Sequence, residues 1–177
     1  MRGQRFLAGL LAVSAAFAVV GRPLLRAEEP AEKSFTLHPI GSVQKIGERM
    51  VIVLDKKYQP GLLGLDGFSH VQVIWWFDKN DTPQKRAVLQ VHPRGDQNNP
   101  LTGVFACRAP VRPNLIALSL CKIVSVKDNV VEVEKIDAFE GTPVLDLKPY
   151  TPGNDSASGV KVPSWAGPPG RASGARP

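Results

Sequence analysis

Two arginines and an asparagine lie among prolines in residues 103–123, GVFACRAPVRPNLIALSLCKI, directly before an apolar run. A guanidinium group is a planar fork of donors that can hold a carboxylate through two parallel hydrogen bonds. Prolines on both sides of Arg112 stiffen the loop, so its polar groups can meet a ligand at low entropic cost. An asparagine amide adds two donors and an acceptor. The sequence therefore shows a stiff, polar loop beside an apolar strand and raises the question of what Arg108, Arg112 and Asn114 do there.

Other kinds of chemistry find little support in the residue pattern. The sequence has neither a glycine-rich dinucleotide loop nor a phosphate-binding loop followed by Lys and Ser or Thr. His38, His70 and His92 form no ligand-spaced pair, and Cys107 and Cys121 lie far apart in the chain, so no metal site is expected. A Ser, His and Asp triad cannot be recognised from sequence order alone. These patterns name no reaction.

The net charge of +6 belongs to the ends of the chain. Residues 28–150 carry 15 basic and 15 acidic side chains, whereas residues 1–27 are basic without acids. A diffuse electrostatic attraction to nucleic acid is therefore not predicted for the folded part, although a local basic patch remains open.

The first 27 residues have the layout of a secretory signal peptide. Arg2 and Arg5 precede an uncharged apolar run over residues 6–20, and small residues permit cleavage after Ala18 or Ala27. This run is shorter than the roughly 20 residues that a membrane-spanning helix needs. The sequence predicts export to the periplasm or the exterior. The alternatives are an uncleaved membrane anchor, or a cytoplasmic protein whose start is misassigned.

Residues 153–177 are rich in Gly, Pro, Ser and Ala, with Trp165 as their only large aromatic side chain. Such a segment cannot bury enough apolar surface to offset its ordering entropy, so a flexible tail is predicted. The alternative for Trp165 is local docking on the domain.

The domain at residues 35–152 reads as short apolar runs separated by turn signals, with no long helical periodicity. This pattern predicts an all-β fold, a compact and mostly antiparallel barrel or sandwich with short helical turns. Residues 68–77 are expected to form a buried central strand, because they are β-branched, aromatic and almost continuously apolar. Other strands are expected at residues 35–43, 49–55, 86–92, 115–126, 129–139 and 142–150, and at most a turn at residues 57–68.

Three segments together resemble the TsaA-like (TrmO) family: GLDGFSHVQVIWWF, GVFACRAPVRPNLIALSL and IDAFEGTPVLDLKPY. The similarity covers about residues 40–152 in the same order. The family contains the S-adenosylmethionine-dependent methyltransferase that modifies N6 of threonylcarbamoyladenosine in tRNA. The resemblance implies a mostly antiparallel β-barrel, usually dimeric, S-adenosylmethionine as cofactor and tRNA as a possible partner.

The resemblance also assigns residues, position by position. Matches to the family's cofactor pocket are Arg108, Arg112, Asn114, Leu115, Asp137, Ala138, Phe139, Gly141 and Thr142. His70 and Lys148 match positions near the substrate, and no catalytic residue is assigned. Arg108 would hold the methionine carboxylate of the cofactor, and Asp137 or Glu140 a ribose hydroxyl.

Each assignment has a structural alternative. Arg108 could form an ion pair with Asp146, Asn114 could cap a turn, and His70 could be a core histidine. Asp137 and Glu140 could be solvated turn residues, while Lys148 could simply end the last strand. Cys107 and Cys121 could form a disulfide in an exported protein, or remain as two free thiols.

The sequence departs from the family pattern at several positions. Leu115 stands where the family has proline, Ala117 where it has glycine, and Cys107 where it has threonine.

The sequence leaves three functions open. The protein is a tRNA-modifying methyltransferase, an exported module that binds another nucleoside or a small anion without catalysis, or a ligand-free structural domain.

Overall fold

The computed structural model describes residues 33–167. The predicted leader at residues 1–27 and the end of the predicted tail, residues 168–177, lie outside this range. Across residues 33–167, no helix has the length and apolarity needed to cross a membrane.

Six strands close into an antiparallel barrel. In chain order the strands of the protein are β1 (Gly41–Ile46), β2 (Arg49–Leu54), β3 (His70–Trp76), β4 (Gln90–Val91), β5 (Thr102–Gly103), β6 (Ile116–Lys127), β7 (Val130–Val133) and β8 (Pro143–Pro149). The barrel order is β1-β2-β7-β6-β3-β8, while β4 and β5 form a separate two-stranded ribbon. The predicted mainly β, antiparallel barrel is confirmed.

The barrel interior is filled by β-branched side chains, which suit a pleated surface that is buried on one face. Val71, Val73 and Trp75 alternate inward along β3, and Val43 on β1 and Val131 on β7 are fully buried. At Gly41 a Cβ atom would lie only 2.7 Å from Cα of Leu54, so the close approach of β1 to β2 requires glycine there.

The remaining elements are short helical turns. Two are α-helical, α1 (Pro83–Arg86) and α2 (Pro152–Asp155). The others are 3₁₀ turns at Lys56–Leu62, Leu65–Gly67, Asp78–Asn80, Pro93–Gly95, Val104–Ala106 and Ser164–Ala166. The prediction of at most a turn over residues 57–68 is therefore confirmed.

Three predicted strands were wrong in extent. The one expected at residues 129–139 is only β7 and ends at Val133. The strand expected from residue 35 begins only at Gly41, because Pro39 lacks an N–H donor and Leu37 is exposed rather than packed. The strand expected at residues 86–92 is reduced to β4. Thr82 caps a helical turn there by accepting a hydrogen bond from the Lys85 amide at 3.3 Å, with Pro83 at the first helical position.

Candidate functional site

A cleft of about 740 Å³ opens where β3 ends and β6 begins. Its inner wall contains Trp75, whose ring meets Phe77 edge-on at 4.7 Å between ring centroids. The Trp75 indole donates a hydrogen bond to the Ser119 hydroxyl at 3.0 Å, which satisfies the indole and fixes its orientation. The volume lies in the range typical of small-molecule sites.

The turn at residues 139–142 forms a second wall of this cleft and is tied to β1 from both sides. The Gly141 amide donates to the Val43 carbonyl at 2.8 Å, and the Val43 amide donates to the Thr142 carbonyl at 2.9 Å. Gly141 has φ +81°, a left-handed conformation that favours glycine. The turn therefore holds Thr142 in a fixed position against the barrel.

Thr142 lines the cleft and has an unpartnered hydroxyl. The residue is 1% exposed, and within residues 33–167 its Oγ1 atom has no hydrogen-bond partner. A buried hydroxyl without a partner is destabilising, so a native structure that keeps one calls for an explanation. Because Thr142 lines the cleft, a bound molecule can supply the missing partner.

The two candidate arginines have different surroundings. Arg112 donates from Nε to the Ala109 carbonyl at 3.0 Å, and from Nη2 to the carbonyls of Val104 and Cys107 at 2.8 and 2.7 Å. Its guanidinium therefore holds the loop together. Arg108 lines the cleft, is exposed, and has no carboxylate partner in the described part of the chain. Arg108 is thus the arginine available to a ligand.

The possible ion pair between Arg108 and Asp146 is not formed. Asp146 instead pairs with Lys148, at 3.0 Å between Oδ2 and Nζ, and its other carboxylate oxygen accepts from the Leu147 amide. Lys148 is therefore engaged on the outside of β8 and does not line the cleft.

Arg86 connects this loop to the rest of the protein. Its Nη1 atom donates to the Pro113 carbonyl at 2.8 Å, while its Nε atom donates to Asp81 at the same distance. The Trp76 indole also donates to Asp81, at 3.0 Å, and the Arg86 guanidinium lies 5.2 Å from the Trp76 ring centroid. The hydrogen bond from Arg86, and to a smaller extent the one from Trp76, holds the pKa of Asp81 below its ordinary value.

Two aromatic side chains stand exposed at the rim of the cleft. Phe105 is 82% exposed and Phe139 is 71% exposed, although both line the same space. Asp137 lines it as well, and Asp78 and Lys79 pair with each other at its edge at 3.2 Å. The cleft thus offers ring faces, a guanidinium and a carboxylate to one ligand.

The structure brings together only part of the predicted set. Arg108, Arg112, Asp137, Ala138, Phe139 and Thr142 line the cleft. Asn114 is exposed and lies outside the lining, and Gly141 contributes through its backbone. Leu115 is fully buried with φ 48°, and its carbonyl accepts from the Phe77 amide at 2.9 Å, so it anchors the loop to the end of β3.

His70 lies at the opposite end of β3 from the cleft. It is five positions from Trp75, which at the rise of an extended strand is about 17 Å. Its ring is 2.9 Å from the Ser69 hydroxyl and meets Tyr150 edge-on, with 6.3 Å between ring centroids. The geometry gives His70 a packing position and no contact with the cleft.

Cys107 and Cys121 are both free thiols. Cys121 points into the barrel core with 1% exposure, whereas Cys107 lies on the loop between Val104 and Arg108. Burial raises the pKa of the Cys121 thiol to about 11. In the described range no three His, Cys, Asp or Glu side chains cluster as a metal site would require.

Several site residues escaped the sequence analysis. Phe105, Trp75 and Phe77 line the cleft, and Arg86 supports its loop from outside. Phe105 lies in the same motif as Arg108, but its exposure cannot be deduced from composition. Arg86 is 27 positions from Pro113 in the chain, so no local pattern connects them.

The chain is similar to proteins named for S-adenosylmethionine binding and for tRNA methylation. A protein of Methanocaldococcus jannaschii, named a probable S-adenosyl-L-methionine-binding protein, is 43% identical over 117 residues, covering 66% of this chain and 93% of its own length. The human tRNA (adenine(37)-N6)-methyltransferase is 43% identical over 102 residues, covering 58% of this chain. A crystal structure of TrmO from Pseudomonas aeruginosa superposes with a TM-score of 0.63 at 26% identity over 80% of this chain.

The match extends over different shares of these proteins. This chain spans 22% of the human enzyme and 66% of the Pseudomonas aeruginosa chain. Residues 32–156, most of the chain and all of its barrel, match the family described as the tRNA-methyltransferase O N-terminal domain, and the chain belongs to that family.

Proposed function

We propose that this protein binds S-adenosylmethionine in the 740 Å³ cleft and transfers its methyl group to a nitrogen of a tRNA nucleoside. The observation that carries the proposal is the Thr142 hydroxyl, which is buried and unpartnered on a residue that lines the cleft. Relatives named as S-adenosyl-L-methionine-binding proteins and tRNA (adenine(37)-N6)-methyltransferases support the choice of ligand and acceptor.

The cleft residues divide the binding task by chemistry. The Arg108 guanidinium suits the methionine carboxylate, because it has no carboxylate partner of its own in the described chain. Asp137 can accept hydrogen bonds from ribose hydroxyls, and Phe105 and Phe139 offer faces for the adenine ring. Thr142 completes the set by donating to, or accepting from, a polar atom of the ligand that is otherwise desolvated.

Such a site would act mainly by positioning. S-adenosylmethionine supplies an electrophilic methyl group, so transfer needs an aligned nitrogen rather than a metal. The rigid loop held by Arg112 and Arg86, and the turn tied to β1, would fix the cofactor relative to the acceptor. Holding two reactants in alignment can supply a large part of a rate enhancement.

Calorimetric titration of S-adenosylmethionine into the full chain tests the proposal. We expect micromolar binding, weakened about three- to tenfold in Thr142→Val, which keeps the shape of the side chain but removes the hydroxyl. Arg108→Ala should weaken binding further at unchanged thermal stability. The matched controls are Thr36→Val, on an exposed residue, and Arg49→Ala, on the outside of β2.

Two results would contradict this proposal. An absence of binding at millimolar S-adenosylmethionine would exclude the cofactor. Equal affinity in wild type and Thr142→Val would exclude the placement of the ligand. A methyl-transfer assay on tRNA, read by mass spectrometry of its nucleosides, then separates an enzyme from a protein that only binds.

The leader sequence favours a second candidate, an exported module that binds another nucleoside or a small anion in the same cleft. S-adenosylmethionine and tRNA are cytoplasmic, so an exported protein would encounter neither. Cell fractionation distinguishes the two: a mature protein in the exported fraction that binds adenosine but transfers no methyl group would favour the module. Residence in the cytoplasm together with methyl transfer would exclude it.

We also propose that the protein is a homodimer. Leu118, Leu120 and Val124 project from the outer face of β6 and are 42%, 54% and 57% exposed. Lys122 lies between Leu120 and Val124 on this face and pairs with Glu134 at 3.5 Å. The apolar part of the face reaches the cleft, because Leu118 belongs to both, so a second copy seated there would adjoin the site. Sedimentation should give a dimer for wild type and a monomer for Leu120→Glu, while a monomeric wild type would refute the proposal.

A further inference from the structure

A second cleft, of about 830 Å³, lies on the other side of the Arg108 loop. Cys107, Arg108 and Pro110 line both clefts, so this short stretch of chain is a wall that they share. The remaining walls come from residues 91–97, which include the Pro93–Gly95 turn, and from the segment around Trp165. Apart from this shared wall, the two clefts have no lining residue in common.

Trp165 belongs to a segment outside the family domain, since the family match ends at residue 156. The segment forms a 3₁₀ turn at Ser164–Ala166, with the Ala166 amide bonded to the Pro163 carbonyl at 2.9 Å. Arg94 fastens it to the domain by donating from Nη2 to the Gly167 carbonyl at 2.9 Å. Trp165 is therefore held as part of the cleft wall, with its ring partly exposed.

The charges of this cleft are all positive. Arg94 and Arg108 line it, and its lining contains no Asp or Glu. Neither arginine has a carboxylate partner among residues 33–167. Most of the remaining lining is apolar. A ligand that combines an anionic group with a flat apolar ring fits this arrangement, because guanidinium groups bind phosphate and an indole face stacks on bases.

His92 adds a group that can hydrogen-bond to the polar edge of a ligand. Its Nδ1 atom is 2.8 Å from the Asn99 carbonyl, which can only accept, so Nδ1 carries the proton and Nε2 of the neutral ring is an acceptor. Gln97 adds an amide donor and acceptor to the same lining. Both groups suit the hydrogen-bonding edge of a nucleobase.

We propose that the second cleft is a nucleotide-binding site, with a purine base stacked on Trp165 and its phosphate held by Arg94. The site stands apart from the cofactor proposal, because its base platform and one of its arginines belong to this cleft alone. A free nucleotide and a nucleotide within an RNA strand share this chemistry. Either ligand would lie across one loop from the first cleft.

Titration with adenosine 5′-monophosphate, with S-adenosylmethionine as a parallel titrant, tests this site in the full chain. We expect Trp165→Ala to weaken nucleotide binding about tenfold and Trp165→Phe, which keeps a ring face, to weaken it less. Arg94→Ala should weaken it and reduce its salt dependence, while the matched Arg49→Ala should not. Adenosine and inorganic phosphate, each lacking one half of the ligand, should both bind more weakly than the nucleotide.

A single-stranded oligoadenylate separates the two sources of the ligand. Tighter binding of the oligonucleotide than of the mononucleotide assigns the cleft to an RNA strand, and equal binding assigns it to free nucleotide. Unchanged nucleotide affinity in both Trp165→Ala and Arg94→Ala, with thermal melting confirming that the variants fold, would overturn the proposal. So would nucleotide binding that Thr142→Val weakens as strongly as Trp165→Ala does. Loss of S-adenosylmethionine binding alone would instead count against the cofactor proposal.

Discussion

Arg86 donates a hydrogen bond to the backbone carbonyl of Pro113, at 2.8 Å, across 27 positions of sequence. Pro113 belongs to the loop that carries Arg108 and Arg112, and Arg86 belongs to α1, so this bond joins the cleft loop to the segment that follows β3. Asp81 and Trp76 hold the other side of the same guanidinium. The conformation of the loop therefore depends on a side chain that does not line the cleft.

Arg86→Ala should loosen the cleft loop. We expect a loss of about 1–2 kcal/mol in the free energy of unfolding, because the charge-assisted hydrogen bond to the part-buried Pro113 carbonyl is removed, whereas the exposed pair with Asp81 contributes little. Ligand binding in the first cleft should weaken at the same time. Arg86→Lys should not restore either property, since one ammonium group cannot reproduce the fork. Urea unfolding measures the stability and calorimetry the affinity.

The control for this prediction is Arg49→Ala, which removes an exposed pair with Glu132 at 3.5 Å and should change stability by less than about 1 kcal/mol. If Arg86→Ala behaved like Arg49→Ala in both measurements, Arg86 would have no part in holding the loop.

Arg112→Ala should lower the free energy of unfolding more than it lowers ligand affinity. Its guanidinium donates to three carbonyls of its own loop, and their loss leaves those acceptors to water or unpaired, at about 2–4 kcal/mol. Arg108→Ala, at an exposed neighbour in the same loop, is the matched comparison and should leave stability unchanged. The reverse result, with Arg112→Ala fully stable and only its ligand affinity reduced, would make Arg112 a direct ligand contact.

The all-β, antiparallel fold could be predicted from β-branched runs between turn signals, but these left a sandwich open, and the resemblance to the family was needed to predict the barrel. The inward alternation of Val71, Val73 and Trp75 could not be predicted, because the outward neighbours Ile74 and Trp76 are apolar too. The strand expected at residues 86–92 failed because the capping interaction of Thr82 starts a helical turn just ahead of it.

Part of the candidate site could be predicted from the sequence. Arg108, Asp137, Phe139 and Thr142 come from two distant motifs, and the order of the motifs in the family was enough to associate them. The division between Arg108 and Arg112 was not predictable, since both stand in the same kind of loop and differ only in which carbonyls lie within reach. The missing partner of Thr142 is a property of burial, which one sequence does not contain.

His70→Ala and Lys148→Ala should leave ligand affinity in the first cleft unchanged. His70 lies at the far end of β3, and Lys148 pairs with Asp146 on the outside of β8. Calorimetry with each variant, beside Arg108→Ala as the positive control, measures this directly. Weaker ligand binding in either variant at unchanged stability would mean that the site extends well beyond the cleft. If both variants lose only methyl transfer to tRNA, they contact the acceptor, as their family positions imply.

Cys121 should make the protein less stable at alkaline pH. Burial raises the pKa of its thiol in the folded protein to about 11, whereas a cysteine in an unfolded chain titrates near 8.5. Between these values the folded state keeps a proton that the unfolded state has lost, so the free energy of unfolding falls as pH rises. Below pH 8 both states are protonated and the contribution is constant. By pH 11 the loss should reach about 2–3 kcal/mol.

Urea unfolding of wild type and Cys121→Val between pH 8 and pH 11 isolates this effect, because all other titrating groups are common to both proteins. Wild type should lose more stability than the variant by the amount above, and parallel curves would show that the thiol does not titrate on unfolding.

The two thiols should also differ in reactivity. At pH 8 a thiol reagent should label Cys107 in the folded protein and both cysteines after unfolding. Folded protein that reacts at neither cysteine, and at both only after reduction, would show a Cys107–Cys121 disulfide in place of the two free thiols.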